Sequence, residues 1–383
     1  MILALFFTRG VSLEVWLNKG LFDREKLIYE EHLKQGNFKK IYWFTYGSND
    51  NDLAKQLKEE NRLHKDIEVF EMPNFFKIPK IGNYLYSILL PIIYKKKLIE
   101  SDILKTNQMD GSWSAVIAKI LYKKKLFLRT GYTLTQLETI INKKRYLKNL
   151  FNTLIERIAY SYADISSVAS KHNLDYLNER YSLKSKIEII PNFVDISLFK
   201  PIPLEKYPKN RILFVGRLSK AKNLFNLIKA VSRTDFVLDI YGDGELKSEL
   251  IAYSKEYTNI NFKGTVANSE LPLIMNRYHF YILPSFQEGM PKTLIEAMAC
   301  GVVCLGTNVN GINEIIEDKV TGYLAQTTNC EDIINLLEQI KIKDEDELLN
   351  VRKNAIQKIK DNYTLESIIK KELTIFNTII GSI

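Results

Sequence analysis

The chain has 383 residues, 46% hydrophobic and 26% charged, with a formal net charge of +9. That length suits two domains of about 150–200 residues better than one core. No run reaches the roughly 18 apolar residues of a membrane span, and the apolar start at 1–7 lacks the basic flank of an export signal, so a first strand is expected there.

In chain order, apolar runs at 2–7, 39–45, 67–70, 102–106, 125–129, 164–168 and 187–190 read as strands with helical patterns between most of them. Asp50-Asn51-Asp52 has the spacing of a D-x-D metal motif, but it lies in the polar run SNDND and reads as a turn. Residues 81–99 join an apolar aromatic run to Lys95, Lys96 and Lys97, and 143–157 is basic with apolar spacing. Each reads as a core-facing helix with lysine ends, or as a segment lying on an anionic membrane surface. In the second case Tyr84, Leu85, Tyr86, Leu89 and Leu90 would enter the interface. Residues 191–208 hold four prolines and read as a linker.

Beyond it, strands are expected at 211–215, 236–241, 260–263, 279–283, 302–305 and 322–325. Helices are expected at about 222–233, 245–256, 269–276, 291–300 and 311–317, with helix again after 330. Alternating β and α implies parallel sheets covered on both faces, hence two doubly wound α/β domains. The expected boundaries are 1–192, 193–363 and a terminal helix over 364–383.

Ligands of such sheets bind at the carboxyl ends of the strands. There the second half places Gly216–Lys222, Gly242-Asp243-Gly244-Glu245, Gly264-Thr265-Val266 and Glu288-Gly289. Arg217 and Lys222 supply the two cations that a diphosphate needs. Glu296 stands among Leu294, Ile295, Ala297 and Met298, in a helix that Pro291 opens and Gly301 closes. A buried carboxylate needs donors, and two adjacent ribose hydroxyls would serve; the plain alternative is a surface helix with one solvated glutamate. The free N–H groups near Met290 and Lys292 suit an anion. Gly242-x-Gly244 lacks the third glycine of a dinucleotide loop. Cys300, Cys304 and Cys330 have no metal-ligand spacing and, without an export signal, point to a reducing cytoplasm. His32, His64, His172 and His279 are scattered and read as surface or satisfied structural residues. Only 12 of the 54 basic residues are arginine and the lysines are dispersed, which argues against a nucleic-acid partner.

In this order GRLSKAKN, YGDGE, GTV and EGMPKTLIE resemble the retaining glycosyltransferases of family 4, and Glu288 and Glu296 match their E-x7-E signature. The resemblance covers about 187–330. It implies the GT-B fold: two Rossmann-like domains facing a cleft, with a C-terminal helix crossing back to the first. It implies a hexosyltransferase that moves sugar from a nucleotide-sugar, UDP favoured over GDP, to a lipid-linked or saccharide acceptor. The setting implied is cell-surface polysaccharide synthesis, such as capsule or lipopolysaccharide, on the inner face of the cytoplasmic membrane. By resemblance, Arg217 and Lys222 bind the diphosphate, Glu296 the ribose, and Glu288 the donor sugar and its oxocarbenium-like transition state. Val266 lies beside the base, while Gly216, Gly289, Met290, Pro291 and Lys292 line the phosphate and sugar. Gly10 occupies the family's N-terminal glycine loop, and Arg129 stands where many members carry a histidine. Fixed cations can stabilise the leaving diphosphate, so no metal or other cofactor is expected. A GT-B epimerase and a non-catalytic membrane-anchoring subunit are the competing readings; Arg217, Lys222 and both glutamates favour transfer.

Overall fold

The computed structural model describes residues 1–131, 133–135, 146–183 and 185–381, the side chains of 146–148 excepted. The chain divides into two compact units, Met1–Ile190 with Ile369–Ile383, and Pro191–Ile368.

The first unit is built on seven parallel strands: β1 (Ile2–Phe6), β2 (Lys40–Phe44), β3 (Ile67–Phe70), β4 (Ile103–Thr106), β5 (Lys125–Thr130), β6 (Ile165–Val168) and β7 (Lys186–Ile189). Their order is β3-β2-β1-β4-β5-β6-β7. The central strands read as unbroken apolar runs because a parallel sheet is covered on both faces: Leu3–Phe6 and Ile41–Phe44 are all buried. Right-handed crossovers place the helices that lead leftward (Leu13–Asn18, Phe22–Lys34, Asp50–Glu59) on one face. Those leading rightward (Gly82–Ile93, Ser112–Tyr122, Tyr146–Tyr162) lie on the other, packed side by side in that order. Asp50-Asn51-Asp52 is not a turn but the first turn of a helix. The buried Asp50 carboxylate accepts the Leu13 N–H at 3.0 Å, which fixes it as a structural group.

The helix Leu365–Gly381 delivers Glu372 into the first unit's core. Lys105 Nζ donates to both its oxygens at 2.7 Å, and His32 Nε2 lies 3.2 Å from Oε2; all three side chains are fully buried. Burial alone would push the Glu372 carboxyl up. The Lys105 charge, the His32 hydrogen bond and the Arg129 charge outweigh it and hold the group far below its usual range.

The second unit has six parallel strands: β8 (Arg211–Val215), β9 (Val237–Tyr241), β10 (Ile260–Gly264), β11 (Phe280–Leu283), β12 (Val303–Thr307) and β13 (Tyr323–Ala325). The order β10-β9-β8-β11-β12-β13 reverses direction between β8 and β11, the topological switch point of a doubly wound sheet. Three expectations change. The segment 191–208 is no free linker but a strap bound to this unit. Val194 N–H donates to Tyr363 O at 2.8 Å, Ile202 N–H to Asn276 Oδ1 at 2.8 Å, and Tyr207 N–H to Arg277 O at 2.8 Å. The helix expected at 311–317 is a run of turns, since Gly311 takes φ +81° and would drive a Cβ to 2.4 Å from the Glu288 carbonyl. The helix expected at 291–300 spans Lys292–Ala299, with Pro291 as its N-cap rather than its first residue.

Candidate nucleotide-sugar site

Two loops meet at the switch point of the second sheet. The loop after β8 carries Gly216 to Lys222 and ends at Asn223, which adopts the left-handed conformation (φ +55°) that asparagine tolerates. Its buried Nδ2 donates to the carbonyls of Pro284 at 3.0 Å and Thr328 at 2.8 Å. Phe286 N–H donates to Ala221 O at 2.9 Å. Asn223 therefore ties the β8 loop to the end of β11, and this tie sets the position of Lys222 opposite Glu288.

Lys222 Nζ donates to Glu288 Oε1 at 2.5 Å, and Ser285 Oγ donates to the same oxygen at 2.5 Å. The side chains are 17% and 12% exposed, so the pair is shielded yet open to a ligand. Ser285 is itself held, its carbonyl accepting Thr307 Oγ1 at 2.6 Å, and Glu288 N–H bonds to Asn310 O at 3.3 Å. A charge-assisted pair of this kind is short and strongly oriented.

The glycines explain the loops. A Cβ on Gly242 would lie 1.9 Å from Gly216 O, and one on Gly244 would lie 2.4 Å from Leu218 O. Leu218 N–H donates to Asp243 O at 2.9 Å and Gly242 N–H to Gly264 O at 2.8 Å. Gly242 and Gly244 thus permit close stitching of the β8 and β9 loops. Gly216 lies at the β8 end of that stitch, and Arg217 stands on its rim, 76% exposed and 3.5 Å from Glu245.

Glu296 is 3% exposed within the helix after β11. Asn268 Nδ2 donates to its Oε1 at 3.4 Å, which brings the loop of half-buried Val266 beside it. Glu288 and Glu296 both act on the buried Tyr281 hydroxyl, which burial itself pushes up most and whose O–H donates to Thr293 at 2.8 Å. Gly289 and Lys292 are half-buried, and Met290 and Pro291 are buried. Asn192 Nδ2 donates to Met290 O at 2.9 Å and its N–H to Met290 Sδ at 3.2 Å. The structure thus gathers Lys222, Glu288, Glu296 and the 289–292 turn at one sheet end.

Gly10 and Arg129 belong to the first unit. Gly10 takes φ +77°, and a Cβ there would touch Asn83 Nδ2 at 3.0 Å. Arg129 sits near the end of β5, where its charge bears on Lys105, Tyr29 and Glu372. Among the described residues no group of three His, Cys, Asp or Glu side chains forms a ligand set for a metal. Cys300 and Cys304 are buried, and burial pushes the Cys300 thiol up to about 12. Sequence reasoning missed Ser285, Asn223, Asn268 and Asn192. For Asn223 a signal existed, an asparagine directly before the apolar helical run at 224–231; for the others none did.

These loops fall within the segment that a known protein family matches. The family described as glycosyl transferases group 1 matches residues 195–358. The GalNAc-alpha-(1->4)-GalNAc-alpha-(1->3)-diNAcBac-PP-undecaprenol alpha-1,4-N-acetyl-D-galactosaminyltransferase of Campylobacter jejuni is 30% identical over 323 residues, covering 78% of this chain and 84% of that enzyme. The UDP-Gal:alpha-D-GlcNAc-diphosphoundecaprenol alpha-1,3-galactosyltransferase of Escherichia coli is 30% identical over 225 residues. That match spans 52% of this chain and 57% of the enzyme's length. Among solved structures, sucrose-phosphate synthase of Thermosynechococcus elongatus superposes with a TM-score of 0.79 at 16% identity over 100% of both chains, a likeness of GT-B fold. With a doubly wound second unit whose matched segment holds the Lys222–Glu288 switch point, and with a relative matched across most of both lengths, the chain belongs to the group 1 glycosyltransferases.

Proposed function

We propose that the protein is a retaining, metal-independent glycosyltransferase. It moves a hexose from a UDP-sugar to a diphosphate-linked lipid acceptor at the inner face of the cytoplasmic membrane, in the assembly of a cell-surface polysaccharide. One observation carries the reading: a cation and a carboxylate, Lys222 and Glu288, are preformed as a pair between the two strands where the sheet order reverses. The Campylobacter and Escherichia relatives, whose names include diphosphate-linked undecaprenol acceptors, support the choice of acceptor, and the latter's UDP-Gal supports the base.

The bond from the anomeric carbon to the diphosphate breaks, and both electrons leave on the phosphate oxygen. Lys222 and Arg217 stabilise that charge in place, without reorganising at the moment of reaction. Glu288 holds donor hydroxyls and opposes the positive charge that grows on the sugar ring. Glu296 accepts the ribose hydroxyls. The acceptor hydroxyl then bonds through its oxygen on the face the diphosphate has left and gives its proton to the departing phosphate oxygen, so configuration is kept.

Thermal denaturation against nucleoside diphosphates tests the site. UDP at 100 times its Kd is expected to add about 2.7 kcal/mol of stability. In Glu296→Ala the Kd should rise about tenfold to a hundredfold, as befits lost hydrogen bonds to a charged group. Equal UDP affinity in both proteins would sink the ribose assignment, and stabilisation by GDP alone would overturn the choice of base. Transfer is expected to continue in excess EDTA; a loss restored by magnesium or manganese would show that the cation pair is insufficient.

A further inference from the structure

We propose that the first unit docks on an anionic lipid bilayer through the joint outer face of three helices, Gly82–Ile93, Ser112–Tyr122 and Tyr146–Tyr162. The inner faces of these helices are accounted for. Tyr86 and Leu90 are core residues and do not reach an interface, contrary to one reading of the sequence. Trp113 Nε1 donates to Ser87 Oγ at 2.7 Å, and Tyr122 O–H donates to Pro91 O at 2.8 Å, locking the first helix to the second.

The outer faces are apolar. On the first helix Leu85, Ile88 and Ile92 are 41%, 51% and 61% exposed at helical spacing. On the third, Leu150, Leu154 and Ile158 repeat the pattern at 58%, 55% and 41%. Ile120 and Leu121 stand at the end of the helix between them, each more than half exposed. Soluble surfaces scatter such residues singly; a continuous group marks a surface that something covers.

Charge decides what covers it. The three helices contain one carboxylate between them, Glu156, which is fully buried and takes hydrogen bonds from Thr135 and Tyr181. Residues 72–99 contain no Asp or Glu at all. Exposed Lys123 and Arg157 lie on these helices or at their ends, and exposed Lys77, Lys80, Lys95 and Lys96 lie in the segments that flank the first of them. A second copy of the chain, meeting this face across a two-fold axis, would set lysine against lysine. An anionic bilayer instead accepts the apolar side chains and meets each nearby cation with lipid phosphate, worth about fivefold in binding per basic residue. Among the described residues no helix is long and apolar enough to cross a membrane, so the face lies on the bilayer.

The face also adjoins the acceptor-side loop of its own unit. Arg9 stacks 4.0 Å over the Tyr84 ring, and Gly10 abuts Asn83, so the loop after β1 is fixed to the start of the bilayer-facing helix. This deepens the lipid-acceptor reading given above, although docking itself can be measured without glycosyl transfer.

The experiment is co-sedimentation of the full chain with vesicles of phosphatidylglycerol and phosphatidylcholine in equal parts, and of phosphatidylcholine alone. Binding is expected to the anionic vesicles at low salt and to weaken as salt rises. The variant Ile88→Ser/Ile92→Ser/Leu150→Ser/Leu154→Ser changes only exposed side chains, so it should keep the wild-type Tm while binding at least about tenfold more weakly. Its transfer to a short-chain, water-soluble acceptor should match wild type, which separates a failure of docking from a failure of the enzymatic reading. Three results would overturn the proposal: no binding of folded wild type to anionic vesicles at low salt, undiminished binding by the quadruple variant, or a dimer in sedimentation velocity that the four substitutions dissolve.

Discussion

Glu288→Ala is expected to lower kcat by about 10²–10³ while leaving the affinity for UDP at or above that of the wild type. The two effects separate because of how the carboxylate is held. In the free protein Glu288 occupies the Lys222 amine at 2.5 Å, so a diphosphate bound as proposed would share that cation. Removing the carboxylate leaves Lys222 wholly to the phosphates, so ground-state binding does not suffer. What is lost is the negative charge opposite the sugar ring, which matters only as the anomeric carbon becomes positive. Calorimetric titration with UDP beside steady-state kinetics makes the comparison. Parallel losses in affinity and kcat would assign Glu288 to ground-state binding instead.

Glu372→Leu is expected to cost about 3–5 kcal/mol, because it leaves the Lys105 cation buried without its partner. The double variant Lys105→Met/Glu372→Leu should regain most of that loss, since two apolar groups of similar size fill the space with no charge to solvate. Chemical denaturation of the four proteins gives the coupling directly; additive single effects would mean that the pair does not act as a unit. The sign of the pH dependence is set by the depressed Glu372 carboxyl. Its stabilisation is complete above the unfolded glutamate value, about 4.3, and declines as the pH falls below it. Wild type should therefore lose stability more steeply in acid than Glu372→Leu.

The strands were legible because a parallel sheet sandwiched by helices needs continuous apolar runs, and Arg211–Val215 or Phe280–Leu283 offer little else to read. The helix expected at 222–233 was legible in its centre but not at its ends, because Asn223 leaves helical space and Leu224–Val231 is all that remains. Residues 311–317 carry helical spacing, and the close approach of Gly311 to Glu288 overrides it. Of the site, Glu296 announced itself as a carboxylate among apolar neighbours. The pairing of Lys222 with Glu288 did not, since it depends on β8 lying next to β11, a fact of sheet order rather than of local pattern. Lys105 and Glu372 are 267 positions apart and neither has a local signature. The basic run 143–145 lies outside the described residues, so the basic character of the 143–157 segment rests on its later part.

The long return of the chain to its first unit has a consequence for biosynthesis. Residues 191–368 can complete their own sheet and strap as soon as they leave the ribosome, whereas the earlier unit must wait for Ile369 and beyond. At about 5–20 residues per second, Lys105 emerges roughly 13–50 seconds before the carboxylate that neutralises it. The part made first is thus finished last. During that interval Lys105 lacks its Glu372 partner, and Phe38 and Phe127 lack the Phe376 ring that packs on them, so these groups are open to chaperones and to premature association. Messages with a slow or interrupted 3′ end would accumulate species in which residues 191–368 are native and residues 1–190 are not.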